Sequence, residues 1–154
     1  MRNILIEIIF LVVFNQVFGQ EVEVSENLIV RKLSDHCYVH TQGINNGLVY
    51  INNGEVIVVS TPDSDTETQN LIDWVKNEQR AKIVGYIIDR WHPDAMGGLK
   101  IVQNNNIKTY AYEAKRKIAE NKGLPIPKVG FNPKKEIKVG DKKVVCHFLG
   151  EAHT

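Results

Sequence analysis

Apolar and polar residues alternate along the first third of the chain, as expected of half-buried β-strands. Turn-forming residues join these segments, and Asn53-Gly54 is a strong hairpin signal because both residues tolerate a positive φ. A continuous apolar run at 56–59 predicts a central strand buried on both faces. The pattern therefore predicts an antiparallel meander, with strands at 22–24, 28–33, 37–41, 48–51 and 56–59.

The period of the apolar residues changes after residue 60. Polar residues typical of a helix start precede apolar positions that recur at helical spacing as far as Arg80. Strands and helices then alternate, which predicts an α/β fold built on a mixed sheet with helices on one face. The predicted elements are strands at 82–88 and 108–112, helices at 97–106 and 113–121, a loop at 124–127, and a hairpin of strands at 136–139 and 142–149.

The composition is that of one ordinary globular domain. The chain has 154 residues, of which 43% are hydrophobic and 24% charged, and its formal net charge is +1. Nothing in this balance indicates binding to nucleic acid or to an anionic membrane. We interpret the two cysteines, Cys37 and Cys146, as small apolar residues on strands, although an oxidising compartment would permit a disulfide between them.

The first 19 residues have the features of a secretory signal peptide. A short basic start precedes an apolar segment at 4–18, and Val17-Phe18-Gly19 forms a cleavage pattern before Gln20. The apolar segment is too short for a membrane span. The sequence therefore predicts a signal peptide at 1–19 and an exported, periplasmic domain at 20–154, with no membrane attachment after the signal is removed.

Metal-capable side chains follow the apolar strand that ends at Ile88. His92 and Asp94 lie two residues apart on what reads as an extended turn, so we expect both to face one cavity. An imidazole and a carboxylate at the end of a strand suit a zinc ion. An ordinary strand end with a surface histidine is the alternative, and the residues alone do not decide between the two.

The other histidines divide into two groups. His36, His40 and His147 flank or lie within strands, and we interpret them as structural. His153 resembles His92, because it lies near a glycine just after an apolar strand. No serine lies in a nucleophile elbow, and the pair Gly97-Gly98 matches no phosphate-binding motif.

Several segments of the chain occur in the order known from one family of hydrolases. They are Asn46-Gly47-Leu48-Val49-Tyr50-Ile51, Val58-Val59-Ser60-Thr61-Pro62, Trp91-His92-Pro93-Asp94-Ala95-Met96-Gly97-Gly98-Leu99, Lys122-Gly123-Leu124-Pro125-Ile126-Pro127 and Gly150-Glu151-Ala152-His153-Thr154. Together they resemble the metallo-β-lactamases, in particular the broad-spectrum secreted dizinc subclass. The third segment matches the family's His-x-His-x-Asp motif, and the last matches its Gly-x-x-His-Thr motif.

The resemblance implies the N-terminal half of an αβ/βα sandwich. It also implies hydrolysis of the β-lactam ring of penicillins, cephalosporins and carbapenems by a metal-bound hydroxide, which confers antibiotic resistance. Carried over to this chain, His92 and His153 are ligands of a first zinc, while Asp94 is a ligand of a second zinc and the catalytic group that orients the hydroxide. One or two zinc ions, a small-molecule β-lactam substrate and a monomeric state are the implied partners.

The chain departs from the family pattern at three places. Arg90 stands at the position of the first histidine ligand, and a guanidinium cannot bind zinc because it stays protonated. Ser60 replaces an aspartate that supports the metal site through other residues. The chain ends at Thr154, and the family's remaining ligands are expected beyond it, so we expect a truncated chain with impaired activity.

These departures leave two other functions open. One is a degenerate, non-catalytic exported protein that binds a metal. The other is a different hydrolase of the same superfamily, such as a thioesterase or a lactonase.

Overall fold

The computed structural model describes residues 20–150. The predicted signal peptide at 1–19 and the candidate ligand His153 lie outside the described residues.

Eight strands form one mixed sheet whose spatial order follows the chain order. The first five are paired antiparallel, as a meander. The sheet then continues in parallel from the fifth strand to the eighth. The strands are β1 (Glu21–Ser25), β2 (Leu28–Lys32), β3 (Cys37–Gln42), β4 (Asn45–Asn52), β5 (Glu55–Val59), β6 (Lys82–Ile88), β7 (Thr109–Tyr112) and β8 (Val129–Phe131).

Helices connect the parallel strands, and a separate hairpin follows the sheet. The helices are α1 (Asp65–Asn77), α2 (Pro93–Met96), α3 (Leu99–Asn104) and α4 (Glu113–Asn121). The hairpin consists of β9 (Lys134–Val139) and β10 (Lys142–His147).

The two faces of the sheet bury different apolar clusters. Val56 and Val58 of β5 pack with Leu71 and Val75 of α1, whereas Ile57 between them belongs to a second cluster. Successive strand residues point to opposite faces, so the second cluster lies on the face away from α1. Residues of β9 and β10 complete that cluster. The sheet therefore has α1 on one face and a two-stranded hairpin on the other.

The start of α1 shows how local sequence sets an element boundary. The Ser64 side chain caps the helix by accepting a hydrogen bond from the backbone N–H of Glu67, at 3.3 Å. The helix ends at Asn77, before the predicted end at Arg80. Arg80 has a φ of 48°, a left-handed conformation that no α-helix continues through.

The fold predicted from the sequence is confirmed in its class and in most of its elements. Several element boundaries differ, and three differences bear on the site or on the topology. The strand β8 was not predicted, because it is only three residues long and contains Gly130. The helical segment after β6 begins at Pro93 rather than Gly97. The last strand ends at His147, not at residue 149.

The cysteines lie on strands, as expected from the sequence. Cys37 and Cys146 lie on β3 and β10 as partly buried free thiols. Among residues 20–150, no helix is long and apolar enough to cross a bilayer.

Substituting Leu71 tests the packing of α1 on the sheet. Leu71 is fully buried, so Leu71→Ala leaves a cavity and should lower the free energy of unfolding by about 2–5 kcal/mol. The matched control is Leu33→Ala, because Leu33 is 57% exposed and the same change should cost no more than about 0.5 kcal/mol. Urea denaturation measures both, and equal effects would contradict this assignment of the core.

Candidate functional site

The candidate site lies at the carboxyl ends of β5 and β6. These strands are parallel neighbours, with Val59 opposite Ile87, so the segments that follow them meet at one edge of the sheet. Ser60 follows β5, and Asp89 and Arg90 follow β6. Such an edge is where α/β proteins place their ligand sites.

The loop after β5 is fixed to the short helix α2. The backbone N–H of Thr61 donates to the carbonyl of Ala95 at 2.8 Å, and the N–H of Gly98 donates to Thr61 Oγ1 at 3.2 Å. A Cβ atom at Gly97 would lie 2.2 Å from the Asp63 carbonyl oxygen, and one at Gly98 would lie 1.8 Å from Thr68 Oγ1. Gly97 thus permits close packing against the loop after β5, and Gly98 permits close packing against the first turn of α1.

Arg90 is bound by two carboxylates. Its Nε donates to Asp94 Oδ2 at 2.8 Å, and its Nη2 contacts the same oxygen. Its Nη1 donates to Asp89 Oδ2 at 2.7 Å. These hydrogen bonds lower the pKa of Asp94 and raise the pKa of Arg90, which keeps both side chains charged.

Ser60 extends this network by one further contact. Its hydroxyl donates to Asp89 Oδ1 at 2.6 Å, and the residue is almost completely buried. We name the four connected residues, Ser60, Asp89, Arg90 and Asp94, the Arg90 cluster.

His92 and Asp94 do not lie on an extended turn, which corrects the sequence-based expectation. His92 is the N-cap residue of α2, and Asp94 lies in the first turn of that helix. Pro93 accounts for the difference, because its fixed φ favours the first position of a helix. Trp91 packs beside His92, with ring centroids 4.1 Å apart, and Lys122 Nζ lies 4.2 Å from the centre of the Trp91 ring.

The described residues do not fit a complete zinc site. A catalytic zinc takes three protein ligands, and no three His, Cys, Asp or Glu side chains within 20–150 are grouped so that they could hold a metal. Of the predicted ligands, the described part contains His92 and Asp94, and the Asp94 carboxylate is bound by Arg90. The third, His153, lies outside it, so its assignment stays a prediction.

A cleft of about 700 Å³ adjoins the Arg90 cluster. It lies between the carboxyl ends of the parallel strands and β10, and Asp89 and Arg90 contribute to its wall. Other lining residues are apolar, aromatic or basic, and among them the rings of Tyr112 and Phe148 stack 3.8 Å apart. His92 and Asp94 do not line this cleft.

His40 is buried beneath the same edge of the sheet. Its Nε2 lies 3.4 Å from the Val59 carbonyl oxygen, and its Nδ1 has no hydrogen-bond partner among the described residues. Gly47 makes room for the ring, since a Cβ there would lie 2.0 Å from Nε2. Burial lowers the pKa of His40 to about 4, so the ring is neutral at pH 7. His40 is therefore structural, in agreement with the sequence-based interpretation.

Known proteins with similar sequences and folds share one description. No protein-family model matches the chain. A curated "Metallo-beta-lactamase type 2" from Bacteroides fragilis is 30% identical over 143 residues, which are 87% of this chain and 57% of that protein. The solved metallo-beta-lactamase from Pontibacter korlensis superposes with a TM-score of 0.72 at 21% identity, covering 79% of this chain and 60% of that one. The chain is similar to the metallo-β-lactamases in sequence and in fold, over about half of their length.

Other relatives carry the same description. A second "Metallo-beta-lactamase type 2", from Pseudomonas aeruginosa, is 28% identical over 83% of this chain and 55% of its own length. The chain spans about half the length of the curated relatives it matches. Its mixed sheet, with helices on one face, corresponds to the N-terminal half of the metallo-β-lactamase fold.

Asp89 is the residue of this candidate site that sequence reasoning did not assign. It connects Ser60 to Arg90, and so links the two positions that depart from the family pattern. The available signal was its position directly after the buried strand β6, next to an arginine. Only the spatial pairing of β5 with β6 shows that Ser60 lies within reach.

The acid stability of the protein should depend on His40. The pKa of about 4 in the folded state is below the ordinary value of 6.5, so between these pH values the unfolded chain binds a proton that the folded one does not. Stability should therefore fall as the pH is lowered from 6.5 to 4. In His40→Gln, the slope should be smaller by up to about 1.4 kcal/mol per pH unit.

Urea denaturation across this pH range measures the slope. The control is His147→Gln, which removes an exposed imidazole on β10 and should leave the slope as in the parent protein. An unchanged slope in His40→Gln would show that His40 is not buried in the neutral form.

Proposed function

We propose that the full-length protein hydrolyses the β-lactam ring of a small-molecule substrate. The observation that carries the proposal is the 30% identity, over 87% of the chain, to a protein named as a metallo-beta-lactamase. The site supports it, because Asp94 and His92 lie together at the carboxyl edge of the parallel strands, beside a loop fixed by the Thr61 and Gly98 hydrogen bonds.

Zinc is the proposed metal, with one or two ions bound. His92, Asp94 and His153 are the ligands proposed for this part of the protein, and Asp94 is also the proposed catalytic group. The described residues do not complete that site, so no catalytic step is assigned to the metal. Arg90 must release Asp94 Oδ2, or leave the other carboxylate oxygen to the metal, before Asp94 can serve as a ligand.

Export to the periplasm is part of the proposal. The basic start, apolar segment and cleavage pattern of residues 1–19 support a signal peptide. A β-lactamase in that compartment meets its substrate before the substrate reaches the cell wall, which accounts for the proposed role in resistance. We further propose that the protein acts as a monomer.

A degenerate, non-catalytic protein is the second candidate function. The ion pair between Arg90 and Asp94 favours it, because it neutralises the carboxylate on which metal binding would depend. A thioesterase or lactonase of the same superfamily would differ from both candidates in its substrate, which would be a thioester or a lactone.

Activity measurements on the natural full-length protein test the proposal. The purified protein should hydrolyse nitrocefin and a carbapenem, and added zinc should raise the rate. In Arg90→His, an imidazole replaces the guanidinium that binds Asp94, so kcat/KM should rise at least about tenfold, or about 1.4 kcal/mol in activation free energy. The zinc content after dialysis should rise with it.

The matched control is Arg116→His. Arg116 forms a comparable ion pair with Glu113 on α4, away from the site, so its replacement should not raise activity or zinc content. If only Arg90→His has activity, the second candidate is correct. Hydrolysis of a thioester or lactone without hydrolysis of any β-lactam would contradict the proposal.

A further inference from the structure

The Arg90 cluster arranges its charges as a metal site does, with a side chain in the place of the cation. The guanidinium lies between two carboxylates and contacts Asp94 through two nitrogens and Asp89 through a third. Arg90 and Asp94 are mostly buried, with 22% and 28% of their side chains exposed. The Asp89 side chain is more exposed, at 43%. Carboxylates partly removed from water are stabilised by charge-assisted hydrogen bonds to a cation, and Arg90 supplies that cation from within the chain.

The cluster also fixes the chain between β6 and α2. Arg90 and Asp94 are four residues apart, and the segment between them contains Trp91, His92 and Pro93. Because the ion pair spans this segment, it holds the turn that presents His92 at the start of α2. The segment is therefore ordered by contacts among its own residues.

Ser60 and Arg90 both donate hydrogen bonds to the same carboxylate, that of Asp89. The serine hydroxyl donates to Asp89 Oδ1 while Arg90 donates to Oδ2, so both oxygens of this carboxylate are satisfied. The Ser60 backbone N–H is held by the Ile87 carbonyl at 2.9 Å, and its φ is 61°. The backbone that carries the hydroxyl is therefore fixed beside Asp89, and the Ser60 side chain is enclosed by its neighbours.

An aspartate at position 60 would conflict with this arrangement. Its carboxylate would meet the Asp89 carboxylate at hydrogen-bond distance with no proton to share, and like charges at that distance repel. Ser60 and Arg90 are therefore compatible with each other and depend on the same neighbour. The two departures from the family pattern form one coupled change.

We propose that Arg90 takes the place of a metal cation at Asp94 Oδ2, and that Ser60 is the positioning residue that adapts the site to it through Asp89. The segment from Asp89 to Asp94 is then ordered without metal, and stoichiometric zinc adds little to its stability. This inference extends the proposed function, because it concerns the metal requirement of the same site. Its test uses no activity measurement, so it can fail or succeed independently of β-lactam hydrolysis.

Thermal unfolding of the natural full-length protein, first freed of metal with EDTA, tests the inference. The parent protein should melt at the same temperature with and without one equivalent of zinc. The double variant Ser60→Asp with Arg90→His gathers three carboxylates and no fixed cation, so it should melt at a lower temperature without metal. Added zinc should then raise its melting temperature by at least about 3 °C.

Two simpler variants keep the inference testable if the double variant does not fold. Arg90→Gln should lower the melting temperature of the metal-free protein, because it leaves Asp94 and Asp89 without a cation. Adding Asp94→Asn to Arg90→Gln should restore part of the loss, because one unpaired carboxylate is removed. Arg116→Gln is the matched control, since it removes an arginine from a carboxylate pair outside the site and should confer no response to zinc.

Two results would overturn the inference. One is a parent protein that zinc stabilises as much as it stabilises the double variant. The other is Arg90→Gln melting at the parent temperature without metal, since Arg90 would then not hold the site together.

Discussion

The ion pair between Arg90 and Asp94 determines what the rest of the site can do. It connects the end of β6 to the first turn of α2, and through Asp89 it reaches the loop after β5. Because the pair is partly buried and Arg90 contacts Asp94 Oδ2 through two nitrogens, the guanidinium competes directly with any other cation for that oxygen. A zinc ion can therefore bind Asp94 Oδ2 only by displacing the guanidinium that already contacts this oxygen.

Strand pairing and close helix packing position the residues of this ion pair. Parallel pairing of β5 with β6 brings Ser60 and Asp89 to the same edge. Close packing at Gly97 holds α2 against the loop after β5, and close packing at Gly98 holds it against α1. The site is thus built from packed strands and helices, and the differences from the metallo-β-lactamase pattern lie in the side chains at positions 60 and 90 rather than in the fold.

Local patterns in the sequence predicted much of this architecture. Alternation predicted the meander, helical spacing predicted α1, and the buried run before Asp89 located the edge with the candidate site. The strand β8 was missed because three residues around a glycine carry no period. The prediction of an extended turn at His92 and Asp94 was wrong because Pro93 starts a helix. The role of Asp89 depends on its contact with Ser60, which lies 29 residues earlier in the sequence, and no local pattern contains such a contact.

Zinc-edge anomalous diffraction from crystals of the natural full-length protein, grown with one equivalent of zinc, tests the central claim most directly. The Arg90 guanidinium should remain on Asp94 Oδ2, and any zinc ion at Asp94 should be bound through the other carboxylate oxygen. A zinc ion bound to Asp94 Oδ2, with Arg90 turned away from it, would show that the guanidinium does not hold this position.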